Sequence, residues 1–355
     1  MSTAGTPTRW VRMDATDAQA AGSESSRAAG RDASRHPLID RLLSARDIVG
    51  PEQTRRFLRP TLNDLHDPAG LPGCIAAARR IAQAVEHKQP IVIYGDYDVD
   101  GVTASAILYH TLTLAGADVH TYVPHRLDEG YGLNEDAIRS IAEANADGKP
   151  LIISVDCGIT ATGPARVARE LGVDLIITDH HQFDPGDLPE AHTLVHPALG
   201  DADAIYPNLD LCGAGVAYKL AWQFARAVSG CEATDTKPAG KLPDKFRALL
   251  LDLLALAALG TVADVVPLVG ENRVITCFGL SRIKQTKIAG LNALITASKL
   301  DGEKIDSYHV GFVLGPRLNA CGRMGHAREA VELLTVAQGD RAEELAEQLH
   351  LTNED

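Results

Sequence analysis

The sequence predicts an α/β protein with a doubly wound, mainly parallel sheet flanked by helices, with a helical N-terminal segment and a C-terminal connecting helix. Short apolar runs rich in β-branched residues alternate with longer helical patterns between residues 74 and 195. Strands separated by helices of this length form βαβ units, which build parallel sheets. Three of the runs lead directly into aspartate or histidine, and ligands of such sheets bind at the carboxyl ends of the strands.

The elements are predicted in order from residue 36. Residues 1–35 are rich in small and polar residues without periodicity, so we expect a disordered tail. Helical patterns follow in residues 36–60, where Pro51 suits a first turn, and in residues 74–88. The next predictions are the strand IVIY, a helix ending at Gly116, the strand DVHTYVP, a helix ending at Gly148, the strand LIISVD, the helix GPARVARELG, the strand LIIT and a short strand near residues 193–195.

The remainder of the chain is predicted to be mostly helical. Residues 213–230 and 244–260 have strong helical patterns, and a surface loop is expected between them. The chain stops at Asp355 inside a helical run without a C-cap signal, so we expect a truncation in mid-helix.

Composition limits the class of protein. The 355 residues are 45% hydrophobic, which suffices for one large or two medium domains. The six cysteines form no CxxC pair, which favours a reducing cytoplasm over a disulfide framework or structural zinc. We expect no signal peptide and no membrane span, because the apolar stretch 249–266 contains Asp252 and Asp264 and is typical of a buried helix with its exit loop. The net charge of −13 counts against electrostatic wrapping of nucleic acid, although bound cations would offset an acidic cluster.

Three aspartates follow the first strand at alternate positions, Asp96, Asp98 and Asp100. Carboxylates brought together without a cation repel one another strongly, so this pattern indicates a metal site. An EF-hand loop is a poor alternative, because its twelfth position requires glutamate and here is Ile107. An aspartate-rich turn that caps the next helix is the other alternative.

Further candidate ligands follow later strands. Asp156 ends the second buried strand, where a simple helix cap is also possible, and Asp179-His180-His181 follows the third. Adjacent histidines point to different sides, so one is able to ligate metal while the other faces substrate. Asp264 lies in an apolar run and needs a charged partner, for which a metal and a buried helix cap are the alternatives.

Several segments are candidates for contacts with phosphate. The glycine-rich segment 315–325 is predicted to be a loop that supplies donors to phosphate oxygens, the alternative being an ordinary connection. Arg126 follows a strand at the same sheet edge, with a plain surface arginine as the alternative. The helix that begins near Gly213 is able to face an anion, although close packing by Gly213 and Gly215 explains the glycines equally well. The donors in segment 315–325 are Arg317, Asn319 and Arg323.

Together these stretches resemble the DHH phosphoesterase superfamily and, within it, the RecJ family of single-strand-specific 5′-to-3′ exonucleases. YGDYDVDG, SVDCGI, TDHH and GTVADVVPL resemble the four superfamily motifs, in that order. PHRLDEGYGL, LCGAGVAYKL and GPRLNACGRMG resemble stretches typical of RecJ, and the similarity runs from His36 to the end. The resemblance implies a tail at residues 1–35, a catalytic domain with N-terminal helices at 36–275, and a helical extension with the start of a connecting helix at 276–355. The family's second, GGH-containing domain and its OB-like domain are not matched.

The resemblance also implies roles for the residues. Two divalent ions are expected, with Asp156 as the bridging ligand and Asp96 either a ligand or an orienting group. An oxygen-rich site with one imidazole suits Mn²⁺ or Mg²⁺, with Mn²⁺ favoured. His181 is expected beside the scissile phosphate and Arg126 at the 5′-terminal phosphate. The remaining implied ligands are Asp98, Asp100, His180 and Asp264.

The implied activity is hydrolysis of single-stranded DNA to 5′-mononucleotides in DNA repair and recombination. The alternatives are a DHH phosphodiesterase with a small substrate (a short oligonucleotide, a cyclic dinucleotide or pyrophosphate) and a non-catalytic scaffold of the same fold. Scaffold members lose metal ligands, whereas this chain keeps all of them. A helicase or single-strand-binding protein is a family-level expectation for a partner, and a cytoplasmic monomer is expected.

Overall fold

A computed structural model describes residues 36–125, 130, 132–145, 148–200, 205–234, 239–323 and 327–354. The chain divides into two compact units, residues 1–60 and 61–355. The first unit contains helices α1 (Pro37–Ser44) and α2 (Pro51–Leu58), each of which begins with proline. Proline suits this position because the first helical N–H has no partner within the helix. The predicted disordered tail lies outside the described residues.

The second unit alternates strands and helices as far as β5, and all later elements of five or more residues in the part of the chain that the structure describes are helices. Three-residue 3₁₀ turns occupy Leu62–Asp64, Pro68–Gly70 and Ile283–Gln285, and a π-helical turn occupies Val310–Leu314. The elements are α3 (Cys74–Glu86), β1 (Ile91–Gly95), α4 (Val99–Leu114), β2 (Val119–Tyr122), α5 (Glu135–Ala144), β3 (Leu151–Val155), α6 (Thr162–Leu171), β4 (Leu175–Thr178), β5 (Thr193–Val195), α7 (Gly213–Val228), α8 (Asp244–Ala263), α9 (Gly270–Arg282), α10 (Ala289–Ala297), α11 (Ser307–His309), α12 (Gly315–Arg323), α13 (Ala327–Thr335) and α14 (Gly339–Glu354).

The five strands form one parallel sheet in the order β2-β1-β3-β4-β5, which confirms the predicted doubly wound α/β fold. Alternate residues of a strand point to opposite faces. Ile91 and Ile93 pack with α3, α4 and α7 on one face, whereas Val92 and Tyr94 pack with α5 and α6 on the other. Strands β1, β3 and β4 are buried along their whole length. The residues that follow their carboxyl ends therefore lie together at one edge of the sheet.

Helix α8 is longer than predicted, because it continues through Gly260 to Ala263. A side chain at Gly260 would collide with the carboxylate of Asp100 and with Thr103, so this glycine permits close packing rather than ending the helix. Within the described part of the chain, α8 is the one helix long and apolar enough to cross a membrane. Its central residues Leu253 and Leu254 are fully buried in the core.

Two other predictions of local structure are wrong. Residues 315–323 of the segment predicted to be a glycine-rich loop form helix α12, which continues directly from the π-helical turn, and the last two residues of that segment lie outside the described residues. Helix α5 ends at Ala144 with Asn145 as its cap, four residues before the predicted stop at Gly148. The predicted domain division after residue 275 falls within α9, and the domain boundaries remain predictions.

Candidate metal centre

The turn after β1 holds its three aspartates in different environments. Asp98 caps α4, since its Oδ1 accepts the N–H of Gly101 at 3.0 Å. Asp96 is 2% exposed and accepts the N–H of Tyr97 at 2.8 Å. The alternative of a capping turn therefore holds for Asp98, but it leaves the burial of the other two carboxylates unexplained.

Asp100 lies against the N-terminus of α7. Its two carboxylate oxygens accept the backbone N–H groups of Gly213, at 2.5 Å, and of Ala214, at 2.9 Å. The first N–H groups of a helix have no partner within the helix and carry partial positive charge, so they stabilise an anion. The predicted anion at this helix start is thus a carboxylate of the protein itself. Close packing also applies, because a side chain at Gly213 would collide with Asp156.

Asp156 follows β3 with a φ of +61°, a left-handed conformation that aspartate tolerates better than most residues. Its backbone N–H donates to the carbonyl of Thr178 at 3.0 Å, which fixes the turn on the sheet. Its Oδ1 lies 3.1 Å from Nε2 of His180. Both atoms are buried, and neither forms a hydrogen bond within the described residues. Buried polar atoms usually have partners, so this pair indicates that a further group belongs between them.

His180 is surrounded by carboxylates. Its Nε2 lies 3.7 Å from Asp100 Oδ2 and 3.8 Å from Asp264 Oδ2, in addition to the contact with Asp156. Burial, together with the neighbouring ring of His181, lowers the pKa of His180 to about 4. The ring is therefore neutral at physiological pH and able to offer a nitrogen lone pair to a metal.

The acidic side chains of the site have raised pKa values. Burial, with the neighbouring Asp98 carboxylate, raises the pKa of Asp96 to about 7 and that of Asp264 to about 6. Burial and nearby carboxylates also raise the pKa values of Asp100 and Asp156. Such shifts arise where like charges are crowded without a compensating cation.

Asp179 fixes the orientation of His181, a role that the sequence did not reveal. Its Oδ1 accepts the backbone N–H groups of His180 and His181, and its Oδ2 accepts that of Ile159 at 2.9 Å. Nδ1 of His181 lies 2.7 Å from Asp179 Oδ1. Burial acts to raise the pKa of Asp179, but these bonds outweigh it and lower the pKa, while the carboxylate raises the pKa of His181.

The donor set suits divalent cations. Within the described residues, three groups place their ligand atoms within 4.8 Å of one another. Carboxylate oxygens with one or two imidazole nitrogens suit Mn²⁺. The atoms of Asp156 and His180 that lack a hydrogen-bond partner also indicate that a cation binds here. Asp156 belongs to two of the groups, as a bridging ligand would. The groups are Asp96 with Asp98 and Asp156, Asp100 with His180 and Asp264, and Asp156 with His180 and His181.

The candidate phosphate contacts have different positions. Oδ1 of Asn319 accepts the N–H of Val99 at 3.0 Å, so α12 reaches the turn that carries the first aspartates. The described bonds of Arg317 are with Nδ1 of His350 and the carbonyl of Val313, rather than with the acidic cluster. Arg126 and the side chain of Arg323 lie outside the described residues.

Comparison with known proteins agrees with this geometry. Residues 90–258 match the model of the DHH family, N-terminal domain. The chain is 44% identical over 319 residues to a single-stranded-DNA-specific exonuclease RecJ of Bacillus subtilis, covering 90% of this chain and 37% of that protein. It is 36% identical to the Haemophilus influenzae protein of the same name, covering 92% of this chain and 54% of that protein. The chain therefore spans about one third to one half of these relatives' length.

A solved structure has the same fold. The crystal structure of RecJ in complex with Mn²⁺ from Thermus thermophilus aligns with a TM-score of 0.71 and 31% identity, covering 93% of this chain and 43% of that one. A second crystal structure, of exonuclease RecJ bound to manganese, aligns with a TM-score of 0.68 and 37% identity, covering 80% of this chain and 66% of that one.

Proposed function

Because the chain belongs to the DHH family, we propose that it is a metal-dependent 5′-to-3′ exonuclease that hydrolyses single-stranded DNA to 5′-mononucleotides in repair and recombination. The observation that carries this proposal is the pair of buried, unpartnered atoms, Asp156 Oδ1 and His180 Nε2, within a cluster of carboxylates. Such a cluster needs bound cations to offset its charge, and cations held there would attract a substrate phosphate.

Two divalent ions, Mn²⁺ or Mg²⁺ with Mn²⁺ favoured, would be held by these side chains, and Asp156 would be a ligand of both. When bound, such ions supply a nucleophile at neutral pH and stabilise the negative charge that develops on a phosphate undergoing in-line attack. The chain's own contribution is to hold the carboxylates in position: the N-terminus of α7 holds Asp100, and the backbone of β4 holds Asp156. The proposed ligands are Asp96, Asp98, Asp100, Asp156, His180 and Asp264.

His181 is proposed to contact the scissile phosphate. Its side chain is 45% exposed, whereas that of His180 is 13% exposed, so the two adjacent rings face different surroundings. The hydrogen bond to Asp179 raises the pKa of His181 and favours the protonated ring. A protonated imidazole donates a charge-assisted hydrogen bond to a phosphate oxygen, which strengthens as charge accumulates in the transition state. Arg126, Arg317, Asn319 and Arg323 remain proposed phosphate contacts.

The first experiment is hydrolysis of a 5′-phosphorylated, 3′-labelled single strand with Mn²⁺. We expect stepwise loss of mononucleotides from the 5′ end, with duplex and 5′-blocked strands resisting hydrolysis. Asp156→Asn is the inactive control, and Asp118→Asn, an exposed carboxylate just before β2, is the matched active control. Hydrolysis of only dinucleotides or pyrophosphate would favour a small-substrate enzyme, and manganese binding without hydrolysis of any substrate would contradict the enzymatic proposal for this chain.

Cellular context is also a proposal. We place the protein in the cytoplasm as a monomer, with a helicase or a single-strand-binding protein as its partner on DNA. Helix α8 supports a water-soluble state, because its leucines form part of the core instead of an exposed apolar surface. Sedimentation and co-purification with single-strand-binding protein would test the oligomeric state and the partner.

A further inference from the structure

Two stacked aromatic rings are exposed where the chain becomes α12. Tyr308 and Phe312 are 62% and 71% exposed, with ring centroids 5.0 Å apart and an interplanar angle of 28°. Of the large hydrophobic side chains that are exposed in the described part of the chain, these two alone are aromatic. Between them, Gly311 has no neighbour within 4 Å of where a side chain would begin, so the helix surface beside the rings is open. We call Tyr308, Gly311 and Phe312 the aromatic platform.

The aromatic platform is connected to the candidate metal centre by a continuous helical stretch. Seven residues separate Phe312 from Asn319, along the end of the π-helical turn and the first residues of α12. Asn319 accepts the N–H of Val99 in the turn between two proposed ligands. A rise of at most about 1.5 Å per residue along this stretch places Phe312 within about 10 Å of Asn319 along the axis, and Tyr308 within about 16 Å.

A second contact fixes the same placement. A side chain at Gly315 would begin 3.9 Å from Cβ of Ala263, the residue that precedes Asp264. The helical stretch therefore passes both the β1 turn and the end of α8, and the separation along it between Phe312 and Asn319 is one that a few extended nucleotides would span.

We propose that the aromatic platform binds bases of single-stranded DNA by stacking, on the 3′ side of the scissile phosphate. This inference rests on the proposed function and adds a binding subsite to it. Every base presents a π-face, so stacking on aromatic side chains holds a strand without regard to sequence. A chain with a net charge of −13 gains little from its overall field when it binds a polyanion, and stacking does not depend on that field. Paired bases in a duplex present no free face, so the subsite favours single strands.

The test is a cycle of binding measurements between protein variants and abasic oligonucleotides. Wild type and Phe312→Ala are titrated with a 5′-phosphorylated, 3′-labelled phosphorothioate oligothymidylate that resists hydrolysis, in Mn²⁺, and with versions carrying one abasic site at successive positions from the 5′ end. We expect Phe312→Ala to weaken binding of the intact strand on the order of 10-fold. One abasic position should weaken wild type similarly and abolish the difference between wild type and variant.

Further variants sharpen this cycle. Tyr308→Ala should couple to an abasic position nearer the 3′ end, and Phe312→Trp should retain affinity. Leu351→Ala, which removes a 53% exposed side chain on α14, is the matched control and should bind as wild type does. Equal weakening by Phe312→Ala for the intact strand and for every abasic strand would overturn the proposal, as would unchanged binding. Unchanged binding together with a change in sedimentation would show that the rings meet a protein surface instead.

Failure of this inference is distinguishable from failure of the proposed function. Binding is measured without turnover, so coupling to an abasic position would stand even if wild type hydrolysed nothing. Conversely, hydrolysis of single strands by wild type and by the control Leu351→Ala tests the proposed function without involving the aromatic platform. Hydrolysis of single strands with no coupling at any abasic position would reject the stacking subsite alone.

Discussion

The second unit contains two buried clusters of charged side chains that differ in how their charges are balanced. In one cluster, Lys219 and Glu271 are fully buried and form an ion pair. Lys219 also donates to the carbonyl of His66 at 2.7 Å, and Glu271 accepts from the N–H of His66 and the hydroxyl of Tyr206, each at 2.9 Å. Every charge in this cluster is compensated by an opposite charge or a hydrogen bond.

The acidic cluster around Asp156 is not balanced in this way. Its carboxylates crowd one another, their pKa values are raised, and Asp156 and His180 each bury an atom without a hydrogen-bond partner in the described residues. Burial alone does not distinguish the clusters, since Asp100 and Asp156 are as deeply buried as Lys219 and Glu271. The incomplete compensation of charge marks the acidic cluster as a binding site and the Lys219–Glu271 cluster as a structural one. Perturbing each cluster should therefore give opposite results.

The largest expected effect is that of Asp156→Asn. We expect turnover of single-stranded DNA to fall to background and Mn²⁺ binding, measured by calorimetry, to weaken severely, because the proposed bridging charge is lost. The metal-free variant should melt at or above the wild-type temperature, since the substitution relieves repulsion among carboxylates. Asparagine also tolerates the left-handed backbone at this position.

The control for this prediction is Asp118→Asn, which removes an exposed carboxylate before β2 and should leave activity and manganese binding unchanged. Wild-type turnover by Asp156→Asn would exclude the two-metal assignment. A lower melting temperature of the metal-free variant would show that the charge is compensated within the protein, which would remove the contrast between the clusters.

Lys219→Met should have the opposite profile. Removal of the lysine leaves the carboxylate of Glu271 buried and unpaired, which costs about 3–5 kcal/mol of unfolding free energy. Urea denaturation would measure this loss, and the double variant Lys219→Met/Glu271→Gln should recover part of it. We expect kcat per folded molecule to be unchanged. Loss of turnover in the folded variant would show that the ion-pair cluster also serves the reaction.

The sequence was sufficient to predict the sheet and the location of the acidic cluster. Each buried strand is a local apolar run, and parallel topology brings the carboxyl ends together, so the sequence alone predicts that Asp96, Asp156 and His180 lie close together. The structure does place them together. The identity of the metals and the roles of the side chains in the reaction remain proposals.

The predictions were wrong where a glycine makes room for a residue that is distant in sequence. Gly260 was read as the end of a helix, yet it leaves room for the carboxylate of Asp100, which is far away in sequence. Glycines in segment 315–325 indicated a loop, although Gly315 lies in a helix beside Ala263. The orienting role of Asp179 was not predicted for a related reason. Its hydrogen bond with the N–H of Ile159 forms only because the ends of β3 and β4 are adjacent in the sheet. Local patterns do not encode such contacts.

Asp179→Asn tests whether catalysis also depends on a carboxylate whose charge is balanced by hydrogen bonds within the protein. The amide oxygen is still able to accept the N–H groups of His180 and His181, but the amide NH2 group cannot accept that of Ile159, and the side chain no longer favours protonation of His181. We expect kcat to fall by about 10- to 100-fold, as is typical when an orienting partner is removed, with KM and manganese affinity nearly unchanged. Steady-state kinetics and metal titration separate these quantities. A parallel loss of manganese affinity would instead make Asp179 a determinant of the metal centre.

The smallest expected effect is a pH dependence of stability that reverses on metal binding. In the metal-free protein, the pKa of Asp96 is about 7 and that of Asp264 about 6, both above the ordinary value of 3.8. The folded state thus binds more protons than the unfolded chain between about pH 4 and pH 7, and stability falls as pH rises through this window. The lowered pKa of His180 makes stability rise with pH, but this is one histidine, whereas several carboxylates have raised pKa values. Metal ions displace these protons, so the increase in melting temperature caused by Mn²⁺ should be greater at pH 8 than at pH 5. An equal increase at both pH values would mean that the carboxylates are already ionised without metal, and the acidic cluster would then be as well compensated as the buried ion pair.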